Sequence, residues 1–206
     1  MSGGIVDPSV IQSRISEHLR QSARVKAAVA ETRAMEIYDA AVVVAVSFKA
    51  GGKLLICGNG GSAADSQHLA TEFTSTLTRD FLRPALPAIA LTTDTSFLTA
   101  YANDFGFDGI FERQVRAVGR RGDVLLTLST SGGSKNVVLA AKAAQGLGIK
   151  VVALTGFSGV LNDVADVTIA VPSTVTAHIQ EAHIAIGHAL CGAVERLFFG
   201  ETGLGF

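Results

Sequence analysis

His68 and Glu72 stand four residues apart in the run Gln67-His68-Leu69-Ala70-Thr71-Glu72. On a helix that spacing puts both side chains on one face, with Cβ atoms about 5–6 Å apart. An imidazole and a carboxylate so placed can hold a metal ion together or act as an acid–base pair. The bland alternative is an exposed i,i+4 contact. Near the other end of the chain, Gln180, Glu181, His183 and His188 fall within one apolar stretch that reads as a helix. Gln180 and His188 are separated by about 80° around such a helix and roughly 12 Å along its axis, an awkward span for two ligands of one ion. Sequence geometry leaves the choice between His183 and His188 open.

Two turns carry a different chemistry. Gly58-Asn59-Gly60-Gly61-Ser62 lets the backbone approach a ligand closely and aims free N–H groups from a helix start. It is neither G-x-G-x-x-G nor a Gly-Lys-Ser/Thr loop, which argues against a nucleotide triphosphatase. Its plain reading is a strand-to-helix turn capped by Ser62. The second turn, Ser129-Thr130-Ser131-Gly132-Gly133-Ser134, holds four hydroxyls in six residues. One hydroxyl suffices for a helix cap; four, at the positive end of a helix dipole, suit the oxygens of a phosphate monoester. The two turns echo each other: an apolar strand, small polar residues, Gly-Gly-Ser, then a helix.

The elements that must position these residues alternate. Helices are expected from Pro8, with Ile11, Ile15 and Leu19 at one helical spacing, and from about Met35 to Phe48, ending at Gly51-Gly52. Apolar runs at Leu54–Cys57, Ala88–Leu91, Val124–Leu128, Val151–Leu154 and Val167–Val171 read as strands covered on both faces. Between and after them, helices are expected at Ser62–Thr74, Ser96–Ala102, Gly109–Val118, Lys135–Gln145 and Ala177–Phe199. The pattern predicts an α/β three-layer sandwich: a five-stranded parallel sheet between helices, preceded by N-terminal helices. Both glycine turns then lie at the carboxyl ends of strands and flank one crevice, the usual place for a ligand in an open sheet. Residues 1–34 have no strand to cross over to and are expected to pack on partner subunits; residues 35–206 are expected to form the α/β domain.

Composition removes several classes. Of 206 residues, 48% are hydrophobic and 17% charged, which excludes a disordered chain. Lys+Arg number 17 against 18 Asp+Glu, so no basic excess favours nucleic acid. Two cysteines, Cys57 and Cys191, make no disulfide framework. The longest apolar run, Ala40–Val46, falls far short of the roughly 20 residues that span a bilayer. Met1–Asp7 lacks the basic and apolar regions of a signal peptide. A cytoplasmic protein with no membrane or nucleic-acid partner is the expectation.

The motifs taken together resemble those of the SIS (sugar isomerase) domain, and closely those of the phosphoheptose isomerases. The matching stretches include Phe48–Lys53, Cys57–Ser62, Gln67–Glu72, Pro87–Leu91, Asn103-Asp104-Phe105-Gly106-Phe107, Gly122–Leu126, Ser129–Gly132 and Ile179–His183. The resemblance implies an aldose–ketose isomerase that interconverts sedoheptulose 7-phosphate and D-glycero-D-manno-heptose 7-phosphate through an enediol, for activated heptose biosynthesis. It implies that Ser129, Thr130, Ser131 and Ser134 hold the phosphate. Asn59, Gly60, Gly61 and Ser62 would line the other turn, and Asn103 and Asp104 would meet sugar hydroxyls. It assigns a zinc ion to His68, Glu72, Gln180 and His188, acid–base roles to Glu72 and His188, and substrate contact to Gln180. It thereby selects His188 over His183. It also implies a homotetramer with sites at subunit junctions, so that ligands from different chains could relieve the span along the last helix. A tetrameric scaffold that binds a replication initiator, and an isomerase of another phosphosugar, are the alternatives. The scaffold would not need Glu72 or His188. One stretch departs from the family: Phe73–Phe81 is longer than usual and has no arginine at the usual spot, leaving Arg79 or Arg83 as candidates to replace it.

Overall fold

The computed structural model describes residues 7–201; the Met1–Asp7 segment read above lies, except for Asp7, outside them. Helix α1 (Pro8–Thr32) starts at Pro8 because Asp7 caps it, its carboxylate accepting from the Ser9 N–H. Arg33 separates it from α2 (Ala34–Lys49). Strand β1 (Leu54–Gly58) then leads into α3 (Gly61–Thr74), and β2 (Ala88–Ala90) into α4 (Thr95–Phe105) and α5 (Ile110–Val118). The chain continues through β3 (Val124–Ser129), α6 (Lys135–Gly146), β4 (Lys150–Thr155), a short α7 (Leu161–Val164), β5 (Val167–Ala170) and α8 (Thr176–Phe199). The elements expected from periodicity are present with shifts of one to three residues at their ends. Helix α7 is new: its four residues carry too little periodicity to register as a pattern.

All five strands are parallel, in the order β2-β1-β3-β4-β5. Every residue of β1 and β3 is buried. Alternate side chains feed two cores. Leu54, Ile56, Leu126, Leu128 and Leu154 pack with α2, α3 and α8. Leu55, Cys57, Leu125, Val151 and Ala153 pack with α5, α6 and Leu161 of α7. Each fully buried Leu or Ile of the sheet contributes about 1.5–3 kcal/mol. The sandwich has the three layers that the alternating pattern predicts.

The alanine-valine run of α2 is spent largely inside the chain, where Ala40, Ala41, Val44 and Ala45 are buried under α8 and the sheet. Helix α1 lies on the outer side of α8: Ser22 is buried and donates to Glu181, which also pairs with His18 at 3.1 Å. Hydrogen bonding holds the Glu181 carboxyl below its ordinary range. The first three turns of α1 stay open to solvent, with Val10, Ile11, Ile15 and Leu19 all exposed. Among the described residues, no helix is long and apolar enough to cross a membrane.

Candidate active site

Strands β1 and β3 are neighbours, and the chain leaves them in opposite directions, towards β2 and towards β4. This is the switch point of the sheet, where a crevice opens at the strand carboxyl ends. Both glycine turns sit there. They are joined by a reciprocal amide pair: Asn59 Nδ2 donates to Asn136 Oδ1 at 2.9 Å, and Asn136 Nδ2 to Asn59 Oδ1 at 2.8 Å.

In the first turn Gly60 has φ +56°, the left-handed region that favours glycine, and it stands at the N-cap of α3 with no side-chain cap. Ser62 is therefore not the cap. It is the second helical residue and is buried under Gly58, where a Cβ would come within 2.7 Å of its own. Gln180 of α8 lies against Gly61, so closely that a Cβ there would reach 2.8 Å from its Nε2. The structure thus brings Gln180 to the first turn.

The second turn is held open by Gly132, whose φ of +61° and contact with Ser158 O leave no room for a side chain. Ser134 occupies the N-cap of α6 but makes no cap hydrogen bond. Its hydroxyl turns to Ser129 Oγ at 3.0 Å, and Ser129 Oγ also lies 3.4 Å from Ser131 Oγ. Ser131 Oγ in turn accepts from the Gly133 N–H at 3.2 Å. Three hydroxyls therefore converge at a helix start, the donor set that an anionic monoester needs. Thr130 and Ser131 together line an adjoining polar cavity of about 260 Å³ with Ser158, Ser173, Thr174 and Ile179.

The histidine question resolves on α8. His183 is fully buried; its Nε2–H donates to Thr155 O at 3.2 Å and its Nδ1 has no partner. Burial pushes its pKa down to about 4. His188, five residues on, faces α3 instead. Its Nε2 lies 2.9 Å from His68 Nε2, and the latter lies 3.2 Å from Glu72 Oε1. The two helices can come this close because Gly187 packs against Leu69: a Cβ there would strike Leu69 at 2.4 Å. The small residue next to His188 thus meets the large one next to His68, and the rings meet at the crossing.

Ligand atoms of His68, Glu72 and His188 all lie within 4.8 Å of one another. At most one proton fits between two facing imidazole nitrogens, and among the described residues no Lys or Arg pairs with Glu72. Three lone-pair donors clustered this closely suit a cation. Ligand atoms around a tetrahedral zinc ion stand roughly 3.3 Å apart, close to the 2.9 and 3.2 Å that separate His68 Nε2 from His188 Nε2 and Glu72 Oε1. The residues fit a zinc site.

Asn103 and Asp104 are not joined to this crevice by hydrogen bonds. Both are exposed on α4, where Asn103 Nδ2 donates to Asp104 Oδ1 at 2.8 Å. Arg79 is exposed, and Arg83 is buried against Glu195, so Arg83 does not stand in the crevice as the arginine expected from the family would. Asn136 was not legible as a site residue. Its one local signal is the helix-start position, where its Oδ1 accepts from the Val137 N–H.

Comparison with known proteins agrees with this geometry. The SIS domain family model matches residues 17–156. A phosphoheptose isomerase of Chlorobium limicola is 48% identical over 198 residues, covering 95% of this chain and 92% of that protein. This chain belongs to the phosphoheptose isomerases of the SIS domain family. The Rhodospirillum rubrum phosphoheptose isomerase is 56% identical over 160 residues, 77% of this chain and 84% of its own length. The solved structure of the phosphoheptose isomerase from Neisseria gonorrhoeae superposes with a TM-score of 0.84 at 45% identity, covering 89% of this chain and 98% of that one. The phosphoheptose isomerase fold thus matches the three-layer sandwich along nearly its full length.

Proposed function

We propose that the chain interconverts sedoheptulose 7-phosphate and D-glycero-D-manno-heptose 7-phosphate. The observation that carries this is the placement of the His68–Glu72–His188 cluster and the Ser129–Ser131–Ser134 cluster around one switch-point crevice. The serine turn binds the phosphate and orients the sugar. Glu72 takes the proton from C1 of the ketose and returns it to C2, while His188 moves the hydroxyl proton from O1 to O2, so the proton count is unchanged. Water is kept from the carboxylate by the packing of α3 on α8, which leaves the Glu72 side chain only 15% exposed. No redox cofactor is required, since oxidation at one carbon balances reduction at the next.

The proposed cofactor is zinc, held by His68, Glu72 and His188, with Gln180 as a further ligand on the strength of the resemblance. When bound, it would stabilise negative charge developing on the sugar oxygens. We further propose a homotetramer. The exposed apolar stripe of α1 supports it, and so do Asn103 and Asp104, which are exposed on α4 and bonded only to each other. The compartment we propose is the cytoplasm, which two free, buried cysteines suit.

The test follows exchange of the C1 and C2 protons of sedoheptulose 7-phosphate in heavy water by NMR. The untreated protein should catalyse exchange and produce the aldose. Removal of metal with a chelator should abolish it and zinc should restore it. No exchange with zinc present would overturn the isomerase reading; full exchange after metal removal would overturn the zinc.

A further inference from the structure

The side chain of Arg83 is entirely buried, in the loop between α3 and β2. Its Nε donates to Glu195 Oε1 at 2.8 Å, and that carboxylate is buried as well. Its Nη2 donates to the Glu72 carbonyl at 2.7 Å. Its Nη1 donates to the carbonyls of Phe73 at 2.8 Å, Pro84 at 3.1 Å and Ser75 at 3.2 Å. The last carbonyls of a helix have no partner within it. One guanidinium supplies partners at the end of α3, starting from the carbonyl of Glu72 itself.

Glu195 is on α8, seven residues after His188, and so on nearly the same face two turns further along. The Arg83 loop is pinned to α8 a second time, by Arg196 lying over the Phe81 ring at 5.7 Å. The arginine therefore connects the end of the helix that carries Glu72 with the helix that carries His188. Stability gives little reason for a charge pair here, because an apolar pair of similar volume commonly does as well or better. Geometry gives a reason. A planar fork with fixed donor directions sets the distance between two helices, which neither lysine nor an apolar contact does.

We propose that Arg83 and Glu195 are positioning residues for the site: the buried pair holds Glu72 at its working distance from His188. This rests on the reading that Glu72 and His188 are the working groups.

The test uses the full chain and compares the parent with Arg83→Met, Glu195→Leu and the double variant. Each single change leaves one buried charge or carbonyl set unpaired and should lower the melting temperature. The double variant removes both charges but still leaves the carbonyls at the end of α3 without the fork, so it should regain only part of the parent's melting temperature. It should still show kcat reduced by about 10–100-fold with KM little changed, and zinc affinity weakened by a similar factor in titration against a chromophoric chelator. A double variant with parental kcat and zinc affinity, whatever its melting temperature, would show that the pair is merely structural and would overturn the proposal. Should the double variant fail to fold, Arg83→Lys decides on the same readouts: it keeps a charge opposite Glu195 but cannot fork to the carbonyls. Parental kcat and zinc affinity in that variant would equally defeat the proposal. A parent that exchanges no C1/C2 proton fails before any variant is made, which separates failure of the site's reading from failure of the brace.

Discussion

The units β1–α3 and β3–α6 are built alike and do different work. Both are buried parallel strands, paired to each other, that turn through glycines into a helix at the crevice. In β3–α6 the chemistry is in the turn. The hydroxyls of Ser129, Ser131 and Ser134 converge there, and the helix beyond carries buried alanines that seat it on the sheet. In β1–α3 the turn offers Asn59, already paired with Asn136, and the titratable groups are on the third and fourth turns of the helix, at His68 and Glu72. On the proposed function, one unit would anchor the phosphate through its dipole end and the other would carry the reacting groups along its side. A sugar phosphate is long enough for this division, since its anionic end and its C1–C2 bond are well separated. The contrast teaches that the same local architecture is committed to binding or to chemistry by which part of it is polar.

The sharpest break of this comparison is Glu72→Gln. The amide keeps the size and most of the hydrogen bonding but cannot accept a carbon-bound proton. A kcat lower by roughly 10²–10⁴-fold is expected, with phosphate affinity kept. The folded state should survive, read by circular dichroism. Proton exchange at the parental rate would remove Glu72 from the chemistry.

The matching change on the other unit is Ser131→Ala with Ser134→Ala. Two charge-assisted hydrogen bonds of about 1.5–3 kcal/mol each are lost, so KM should rise roughly 10²-fold or more. The kcat at saturation should fall much less. Equal losses in kcat and no change in KM would mean that the turn does not hold the phosphate.

The smallest expected effect serves as a control outside both units. His183 has an ordinary value of 6.5, pushed down to about 4 by burial. Between those values an unfolded chain binds the proton and the folded one does not, so stability rises with pH across that window. The effect is worth about 3 kcal/mol at most. His183→Gln should flatten this part of the stability curve in urea titrations between pH 4 and 6.5, with zinc affinity unchanged. A slope equal to the parent's would show that the imidazole is not what titrates there.

Much of this arrangement was legible beforehand, and the reasons differ by residue. The strands announced themselves because a sheet covered on both faces needs unbroken apolar runs, as at Leu54–Cys57. His68 and Glu72 were legible because i,i+4 spacing fixes a shared face locally. The choice between His183 and His188 was not legible, since it depends on Gly187 meeting Leu69 across a helix crossing. The resemblance supplied it. Asn136 and Arg83 were out of reach for a related reason. Their partners, Asn59 and Glu195, lie 77 and 112 residues away, and no local pattern marks such a pair. Ser62 shows the opposite error: a plausible local cap that the backbone gives to Gly60 instead.

The contact between His68 and His188 closes a span of 120 residues, and that between Asn59 and Asn136 a span of 77. Contacts so distant along the chain form only after the entropy of large loops has been overcome, and they therefore come late in folding. During synthesis the asparagine bridge can form once α6 has emerged and the serine turn once Ser158 and Leu161 have followed to hold Gly132, whereas the imidazole pair must wait for the last helix. A growing chain would thus acquire a seat for sugar phosphate before it acquires any means to rearrange one. Its ligand can assist the later steps of folding, because binding to a partly assembled sheet favours the compact form by mass action.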